Sequence, residues 1–369
     1  MKKIISVVGA RPNFMKAAPL MRAFSPYADR VKNILVHTGQ HYDAAMSQVF
    51  FDDLGLPIPD IFLGVGSGTH AEQTARIMVE FEKICAAESP DLIIVFGDVN
   101  STLACSIVAA KGCIPLAHVE AGLRSFDRTM PEEVNRIVTD TLSSFLFVTE
   151  QSGIDNLIRE GVPKDKMFLL GNTMIDTLLR LLPKAQDSDF LERYSLVPKK
   201  YCVVTLHRPS NVDTKEGLEG ILGLFAILSR KTSIIFPIHP RTKKMLSSYG
   251  LDYRVREIPN LFLIEPLGYL DFLRAMESSV FVLTDSGGIQ EETTTLGIPC
   301  ITMRNNTERP ITVEVGTNVL AGSDVNHVLT ACEKTMSGDS KKGNIPAMWD
   351  GHAAERIVQV LMAKLYSKE

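Results

Sequence analysis

Acidic side chains that could exchange protons with a substrate follow apolar runs in the first half of the chain. Asp98 follows the run Leu92–Phe96 after a single glycine, and Glu120 ends the run that begins at Pro115. Asp98 could instead cap the helix that follows, because Asp is a preferred N-cap residue. Glu120 has no comparable structural need for its charge. The pair therefore predicts general acid–base chemistry at the ends of two strands.

Two more acidic residues open a predicted helix near Met130. Pro131 suits the first helical position, and Glu132 and Glu133 complement the positive end of the helix dipole. Glu132 and Arg136 are four residues apart and could pair on one helix face. The helix dipole explains why acidic residues occur here, but it does not tell which of them is functional.

Basic residues beside a glycine turn predict an anion-binding site. Gly9 follows the first apolar run and precedes a helix, where free backbone N–H groups, together with Arg11 and Lys16, could bind a phosphate. Both charges could equally be solvated residues of a helix start. The fingerprint GxGxxG is absent here, so nothing supports a nicotinamide cofactor.

A second glycine turn follows the apolar run Val280–Thr284. Gly287 and Gly288 would let the backbone approach a pyrophosphate, and Ser286 could donate to a phosphoryl oxygen. Glu292, further along the same predicted helix, could reach the hydroxyls of a ribose. Other polar residues at strand ends in this half are His207, Arg208, His239, Arg241 and Arg309.

The strands and helices that would position these residues alternate along the chain. Short apolar runs are separated by amphipathic stretches of helical length, which is typical of parallel α/β domains. The predicted strands are Ile4–Val8, Ile34–His37, Leu92–Phe96, Pro115–Val119, Phe145–Val148, Tyr201–Leu206, Ser233–Pro237, Leu261–Glu265, Val280–Thr284 and Cys300–Met303. The predicted fold class is therefore α/β, with two Rossmann-like doubly wound domains facing a central cleft.

The stretch Leu181–Lys200 lacks a strand run and is rich in charge and turn residues, so it is predicted to contain a linker. We expect an N-terminal domain over residues 1–171 and a C-terminal domain over residues 172–352. A last helical pattern, within residues 353–369, could pack back on the first domain.

Composition excludes several classes of protein. The 369 residues are 45% hydrophobic and 22% charged, and the formal net charge of −4 argues against a broad nucleic-acid-binding surface. No apolar run approaches the roughly 18 residues that span a membrane. The six cysteines form no CxxC pair, so neither a disulfide framework nor a zinc site is expected. We expect a cytoplasmic protein without a metal and without nucleic-acid or membrane partners.

A set of motifs resembles the non-hydrolysing UDP-N-acetylglucosamine 2-epimerases. The match runs in order from Val8 to about Gly322. The motifs are GARPNFMK, TGQH, GDVNST, HVEAGLRS, MPEEVNR, HRPSNV, DSGGIQEE and NTERP. The resemblance implies a fold like that of the GT-B nucleotide-sugar glycosyltransferases, with UDP bound by the C-terminal domain, a homodimer and no cofactor.

The same resemblance implies an activity, the reversible conversion of UDP-GlcNAc to UDP-ManNAc for surface polysaccharide synthesis. UDP would leave by anti elimination, giving a 2-acetamidoglucal intermediate, and would then add back with C2 inverted. The implied catalytic residues are Asp98, Glu120, Glu132 and His207. The implied substrate-binding residues are Arg11, Lys16, Arg136, His239, Ser286, Gly287, Gly288, Glu292 and Arg309. An allosteric site for a second UDP-GlcNAc would include Gln40, His41 and Gln73.

The chain departs from the family's better-studied bacterial members in several segments. Asn13 replaces a glutamate, and Asp43 lies where a basic residue is common, which argues against the allosteric site. These departures point to a sub-branch that includes archaeal enzymes and 2-epimerases of UDP-2,3-diacetamido-glucuronic acids. Such a uronic acid is therefore the alternative substrate. The motifs also leave open a GT-B glycosyltransferase using a UDP-sugar and a catalytically silent UDP-sugar sensor.

Overall fold

We describe the protein from a computed structural model, which covers residues 1–39 and 53–366. The chain folds into two compact units. The first comprises Met1–Arg180 with Ala347–Glu369, and the second comprises Leu181–Pro346. The domain limits that we expect from the sequence, at 171/172 and 352/353, stay a prediction.

The first unit is built on a parallel sheet of seven strands. Runs of Val, Ile and Leu form these strands because both faces of a parallel sheet are covered and must be apolar. The strands are β1 (Lys2–Val8), β2 (Val31–His37), β3 (Ile61–Phe62), β4 (Leu92–Phe96), β5 (Leu116–Ala121), β6 (Phe145–Val148) and β7 (Met167–Leu169). The strand order is β3-β2-β1-β4-β5-β6-β7. Successive strands are added on one side of β1 up to β3 and on its other side from β4 onward, and ligands bind in such sheets at this switch point between β1 and β4.

Helices connect the strands of the first unit. In chain order they are α1 (Arg11–Ala23), α2 (His70–Glu88), α3 (Asn100–Lys111), α4 (Pro131–Leu142), α5 (Gln151–Arg159) and α6 (Thr173–Gln186). Helix α2 shows how local sequence sets a boundary, because Thr69 Oγ1 accepts from the Glu72 N–H at 3.3 Å while Glu72 Oε2 accepts from the Thr69 N–H at 3.1 Å. This capping box fixes the start of the helix.

The second unit has a parallel sheet of six strands in the order β10-β9-β8-β11-β12-β13. The strands are β8 (Tyr201–Thr205), β9 (Ser233–Pro237), β10 (Leu261–Ile264), β11 (Val282–Thr284), β12 (Cys300–Thr302) and β13 (Asn318–Leu320). The helices are α7 (Phe190–Arg193), α8 (Pro209–Val212), α9 (Lys215–Leu228), α10 (Pro240–Ser248), α11 (Asp252–Glu257), α12 (Tyr269–Ser278), α13 (Gly287–Leu296), α14 (Pro310–Glu314) and α15 (Val325–Met336). The stretch predicted to be a linker thus contains the end of α6 and all of α7.

The last helix, α16 (Ala353–Tyr366), belongs to the first unit and packs against α1. Its first N–H groups are capped by a side chain from α6. Asp176 accepts from Ala353 N–H at 3.1 Å and from Ala354 N–H at 2.7 Å. Over residues 1–39 and 53–366, no helix combines the length and apolar character that crossing a membrane would require.

The loop after β5 depends on a glycine. Gly122 has a φ of +81°, and a Cβ atom added there would lie 2.5 Å from the carbonyl oxygen of Gly153. The left-handed backbone and the close approach both exclude a side chain. The Gly122 N–H also donates to Asp140 Oδ2 at 3.0 Å, which ties the loop to α4.

We expect Gly122→Ala to lower the free energy of unfolding by about 2–4 kcal/mol, because steric overlap adds to left-handed strain. The matched control is Gly223→Ala in α9, where an added Cβ has no neighbour within 4 Å. That change should stabilise by at most about 1 kcal/mol. Urea unfolding can be followed by circular dichroism and by the fluorescence of Trp349, the single tryptophan, which is buried in the first unit. Equal, small effects of both variants would contradict the packing at Gly122.

Candidate active site

Asp98 lies in the turn after β4 and is bound by a buried arginine from α4. Arg136 Nη1 donates to Asp98 Oδ2. The same guanidinium donates to Glu133 Oε2 at 2.8 and 3.1 Å. The Asp98 side chain keeps 28% of its surface exposed, whereas that of Arg136 keeps 3%. Asp98 is therefore a carboxylate held in one direction but still open to a ligand.

The alternative role of Asp98 as a helix cap is wrong. Helix α3 begins at Asn100 with Val99 at the N-cap position, and no side chain caps it. The main chain of Asp98 is instead held from α4, because Asn135 Nδ2 donates to its carbonyl oxygen at 2.8 Å. The side chain is thus left for the ion pair with Arg136.

The ion pair of α4 involves a different glutamate from the one that residue spacing suggests. Arg136 pairs with Glu133, three residues before it, and not with Glu132 as expected. Glu133 is buried and also accepts from the N–H groups of Ser125 and Phe126, both at 2.9 Å. Burial raises its pKa, but the Ser125 N–H and the Arg136 guanidinium outweigh this and hold the pKa below its ordinary value. Glu132, the residue before it, is exposed.

Glu120, at the end of β5, forms a buried ion pair with Lys16 of α1. Both side chains keep only 6% of their surface exposed, so the view of Lys16 as a solvated helix-start charge is wrong. Glu120 has a φ of +75°, and the pairing of β5 with β6 is irregular between Val119 and Ala121. A non-glycine residue in this conformation costs of order 1–3 kcal/mol and is found mostly at functional sites. The irregularity turns the Glu120 side chain toward Lys16.

The loop that precedes α1 is closed by Asn13. Its Oδ1 accepts from the N–H groups of Gly9 and Ala10 at 3.1 and 3.2 Å, and its Nδ2 donates to the Phe96 carbonyl at 2.9 Å. Asn13 thus links the end of β1 to the end of β4. Arg11 is the first residue of α1 and is partly buried in the same loop region.

Of the residues implied for an allosteric site, Gln40 and His41 lie outside the described residues. Gln73 is buried, donates to the Gly66 carbonyl at 2.9 Å and accepts from Asn100 Nδ2 at 2.8 Å. Its side chain therefore links α2 to the start of α3. The allosteric role stays a prediction.

In the second unit, His207 is bound to a buried aspartate for which sequence reasoning gave no role. Asp285 accepts from the His207 and Arg208 N–H groups at 3.0 and 2.9 Å, from Asn211 Nδ2 at 2.9 Å and from His207 Nδ1 at 3.0 Å. Burial raises the pKa of Asp285, but the His207 ring and these donors hold it below its ordinary value. Asp285 directly follows β11, and this position at a strand end was the sequence signal that could have identified it.

His239 occupies the N-cap position of α10, and its Nδ1 accepts from the Arg241 N–H at 3.2 Å. Its ring centroid lies 5.1 Å from that of His207. Burial lowers the pKa of His239, and the neighbouring His207 lowers it further. His239 is thus held as a neutral ring beside the histidine that Asp285 orients.

The glycine turn after β11 forms the start of α13. Ser286 is at the N-cap position, but its side chain makes no capping hydrogen bond, and helical residues begin with Gly287 and Gly288. A Cβ atom on Gly287 would lie 2.5 Å from Arg309 Nη1. Only glycine allows this guanidinium to pack against the helix start. A cation at the positive end of a helix favours an anion between them.

Arginines surround a buried glutamate beside this helix start. Glu308 contacts Arg304 at 2.9 Å, Arg208 at 3.3 Å and Arg309 at 3.6 Å, and Arg309 Nε also lies 2.9 Å from Glu291 Oε1. Burial raises the pKa of Glu308, but these arginines hold it well below its usual range. Three arginine charges against two carboxylates leave this cluster positive, which suits a phosphate group.

Glu292 is buried on α13 and accepts from the Tyr269 hydroxyl at 2.9 Å. This contact fixes Oε1, and a ribose hydroxyl would have to share the carboxylate with Tyr269. The structure thus brings Asp98, Glu120, Lys16 and Arg136 together at the sheet edge of the first unit. It brings His207, His239, Ser286, Glu292 and Arg309 to the strand ends of the second. Sequence reasoning gave no role to Asp285, Glu308 and Tyr269, and it left Glu133 as the alternative to Glu132.

We expect Glu133→Gln to lower the free energy of unfolding by about 2–3 kcal/mol, because the buried Arg136 loses one of its carboxylate partners. The matched control, Glu132→Gln, removes an exposed charge and should change stability by less than about 0.5 kcal/mol. Urea unfolding followed by Trp349 fluorescence measures both variants. A larger effect at position 132 than at 133 would refute the assignment of the ion pair.

We expect Asp285→Asn to destabilise at pH 7 by about 1–3 kcal/mol, because an amide cannot accept from all the donors aimed at the carboxylate. A carboxyl whose pKa is lowered by folding stabilises the protein above its unfolded-state pKa, which is 3.8 for Asp285. The difference from wild type should therefore shrink as the pH falls below that value. Asp213→Asn, at an exposed ion pair with Arg241, is the control and should cost at most about 1 kcal/mol. A deficit for Asp285→Asn that is independent of pH would exclude this linkage.

Comparison with known proteins gives a consistent result over the whole chain. A family model described as UDP-N-acetylglucosamine 2-epimerase matches residues 27–362. The UDP-N-acetylglucosamine 2-epimerase of Methanocaldococcus jannaschii is 43% identical over 364 residues, which cover 97% of this chain and 98% of the relative. The UDP-2,3-diacetamido-2,3-dideoxy-D-glucuronate 2-epimerase of Pseudomonas aeruginosa is 38% identical over 366 residues, covering 98% of this chain and 100% of the relative.

Solved structures agree with these relatives. The M. jannaschii UDP-GlcNAc 2-epimerase in complex with UDP-GlcNAc and UDP has a TM-score of 0.89 at 43% identity and covers 98% of this chain and 99% of that one. The Neisseria meningitidis UDP-GlcNAc 2-epimerase bound to UDP-GlcNAc has a TM-score of 0.88 at 29% identity, with the same coverage. The predicted α/β class, GT-B-like with two parallel sheets, is confirmed. This chain is an isomerase that belongs to the UDP-N-acetylglucosamine 2-epimerase family.

Proposed function

We propose that the protein inverts C2 of a UDP-sugar, with the interconversion of UDP-GlcNAc and UDP-ManNAc as its first-choice reaction. The observation that carries the proposal is the pair of carboxylates at neighbouring strand ends. Asp98 follows β4 and Glu120 ends β5, and each contacts a buried cation, Arg136 and Lys16 respectively. Family membership supports the same reaction, and the relatives' structures hold UDP-GlcNAc.

The chemistry at C2 explains why such carboxylates are needed. C2 of an N-acetylhexosamine has no neighbouring ring carbonyl, so its proton is not acidic in the ground state. Departure of UDP from C1 builds oxocarbenium character and makes the C2–H bond acidic, so a positioned carboxylate can take the proton. The products of this anti elimination are UDP and a 2-acetamidoglucal. Return of a proton to the opposite face of C2 and of UDP to C1 gives the epimer.

Inversion needs acid–base groups for both faces of the sugar. We assign this work to Asp98, Glu120 and Glu132. Asp98 and Glu120 are each oriented by a cation, and Glu132 is exposed at the start of α4, beside the Glu133–Arg136 pair that fixes Asp98. Rigid placement of such groups is what lowers a barrier to proton transfer.

We assign UDP to the second unit. The N–H groups at Gly287 and Gly288, the Ser286 hydroxyl, Arg309 and His207 would stabilise the diphosphate as a leaving group, because they are donors and cations around a helix start. We also assign Arg11 and Lys16 to substrate binding, because they lie in the family motif GARPNFMK. Glu292, held by Tyr269, would bind the ribose.

Several further assignments follow from the family alone. We propose a homodimer in the cytoplasm that supplies precursors of surface polysaccharides, with no cofactor. Gln40, His41 and Gln73 would belong to an allosteric site for a second UDP-GlcNAc, although Asp43 argues against it. A glycosyltransferase or a silent sensor is disfavoured by the relatives, which are named as epimerases.

A UDP-2,3-diacetamido-glucuronic acid is the second candidate substrate. The Pseudomonas aeruginosa relative, at 38% identity, is named for that sugar. We expect incubation with UDP-GlcNAc in D2O to give UDP-ManNAc with deuterium at C2, measured by NMR. Exchange with the diacetamido-uronate alone would transfer the assignment to the acidic sugar. No exchange with either would refute the epimerase proposal.

We expect Asp98→Asn, Glu120→Gln and Glu132→Gln each to lower turnover by about 10²-fold or more, the range for a lost acid–base group. Steady-state rates of C2 epimerisation measure this effect. Asp213→Asn, at an exposed surface pair, is the control and should keep wild-type turnover. Near-native turnover in one carboxylate variant would exclude that residue from proton transfer.

A further inference from the structure

His118 is a buried histidine of β5 whose two ring nitrogens are both engaged. The residue has no exposed surface. Its Nε2 lies 2.8 Å from the carbonyl oxygen of Gly97, and its Nδ1 lies 2.6 Å from Asp140 Oδ1. The proposed mechanism gives this ring no role, although it lies two residues before Glu120 and contacts the residue before Asp98.

The hydrogen-bond donors and acceptors around this ring leave two possible protonation states for the His118–Asp140 pair. A carbonyl oxygen can only accept, so Nε2 must carry a proton and donate to Gly97. An ionised carboxylate can also only accept, so Nδ1 must carry a proton as well. A ring with both nitrogens protonated is an imidazolium cation. The alternative, with the proton on Asp140, requires that carboxyl to be neutral.

The surroundings of Asp140 favour its ionised form. Asp140 Oδ2 accepts from the Gly122 N–H at 3.0 Å and lies 2.7 Å from Arg124 Nη2. Arg124 in turn binds Glu160 at 2.7 and 2.8 Å. With His118 charged, this group has two cations and two carboxylates and is neutral.

The pair holds both strand ends that carry the proposed acid–base groups. On one side, β5 holds both peptide groups of Gly97, since the Gly97 N–H donates to the Val119 carbonyl at 3.0 Å and the Gly97 C=O, in the peptide before Asp98, accepts from His118. On the other side, Asp140 holds the Gly122 N–H, two residues after Glu120. The position of the Gly97–Asp98 peptide therefore depends in part on its hydrogen bond from His118, a ring that Asp140 holds in place.

We propose that His118, as an imidazolium paired with Asp140, is a positioning residue that sets the Gly97–Asp98 peptide and with it the direction of the Asp98 carboxylate. The kinetic consequence rests on the proposed epimerase activity, whereas the charge of the ring and the position of the peptide do not. A displacement of about 1 Å at a reacting group can cost about 10²-fold in rate.

The charge is tested by ¹⁵N NMR of the wild-type protein with labelled histidine. The His118 signals are those that disappear in His118→Gln. We expect cross-peaks from both the Nδ1–H and the Nε2–H of this ring at neutral pH. A single N–H with one unprotonated nitrogen would overturn the imidazolium assignment.

The positioning role is tested by two matched variants. In His118→Gln the amide nitrogen takes the place of Nε2 and can still donate to Gly97, whereas in His118→Asn it takes the place of Nδ1 and that contact is lost. We expect His118→Asn to lower kcat by about 10–100-fold with little change in KM, the range for a lost orienting partner. His118→Gln should retain most of the wild-type kcat.

A readout independent of activity accompanies the kinetics. The amide ¹H–¹⁵N resonance of Asp98 belongs to the Gly97–Asp98 peptide and should shift in His118→Asn but stay near its wild-type position in His118→Gln. Equal kcat losses and equal shifts in both variants would overturn the positioning role and leave His118 a residue needed only for stability. Absence of C2 exchange in the wild-type protein would refute the epimerase proposal, while this resonance would still decide the positioning role.

Discussion

A buried carboxylate is stable only where hydrogen bonds or charge partners replace its water, and this requirement organises the strand ends of both units. Removing a charge from water without such partners costs several kcal/mol. In the first unit Asp140 accepts from His118 Nδ1 and from a backbone N–H. In the second unit Asp285 accepts from His207 Nδ1 and from backbone N–H groups. Each aspartate therefore fixes the loops around it, because a loop that moved away would leave the charge unpaired.

The loops at the strand ends of the two units present different chemical groups. In the first unit they present carboxylates, with Asp98 held by Arg136 and Glu120 held by Lys16. In the second they present cations and N–H groups around the start of α13, where Arg309 packs on Gly287. Proton transfer at C2 and stabilisation of a leaving diphosphate need these two kinds of surface. The charges that each unit carries at its strand ends support the proposed epimerase reaction.

Some features could be predicted from the sequence because they are local. Apolar runs predicted ten of the thirteen described strands. The strands that were missed, β3, β7 and β13, lie at sheet edges and have only two or three residues. Each of them has at most one buried residue, whereas β11 and β12, of three residues each, are buried throughout. Residues at strand ends were found for the same local reason, since polar groups directly follow apolar runs.

Other features were decided only by the tertiary structure, because they depend on which residues approach from distant parts of the chain. By itself, the sequence determined the α/β class, the strand ends and, through its motifs, the family. It could not show that Arg136 pairs with Glu133 and not with Glu132, since both spacings place the charges on one helix face. Nor could it show that Asp98 binds Arg136 instead of capping α3. Burial determines these pairs. A charge removed from water must pair with a group that the packed elements bring close to it, and the spacing of residues along the chain does not show which group that is.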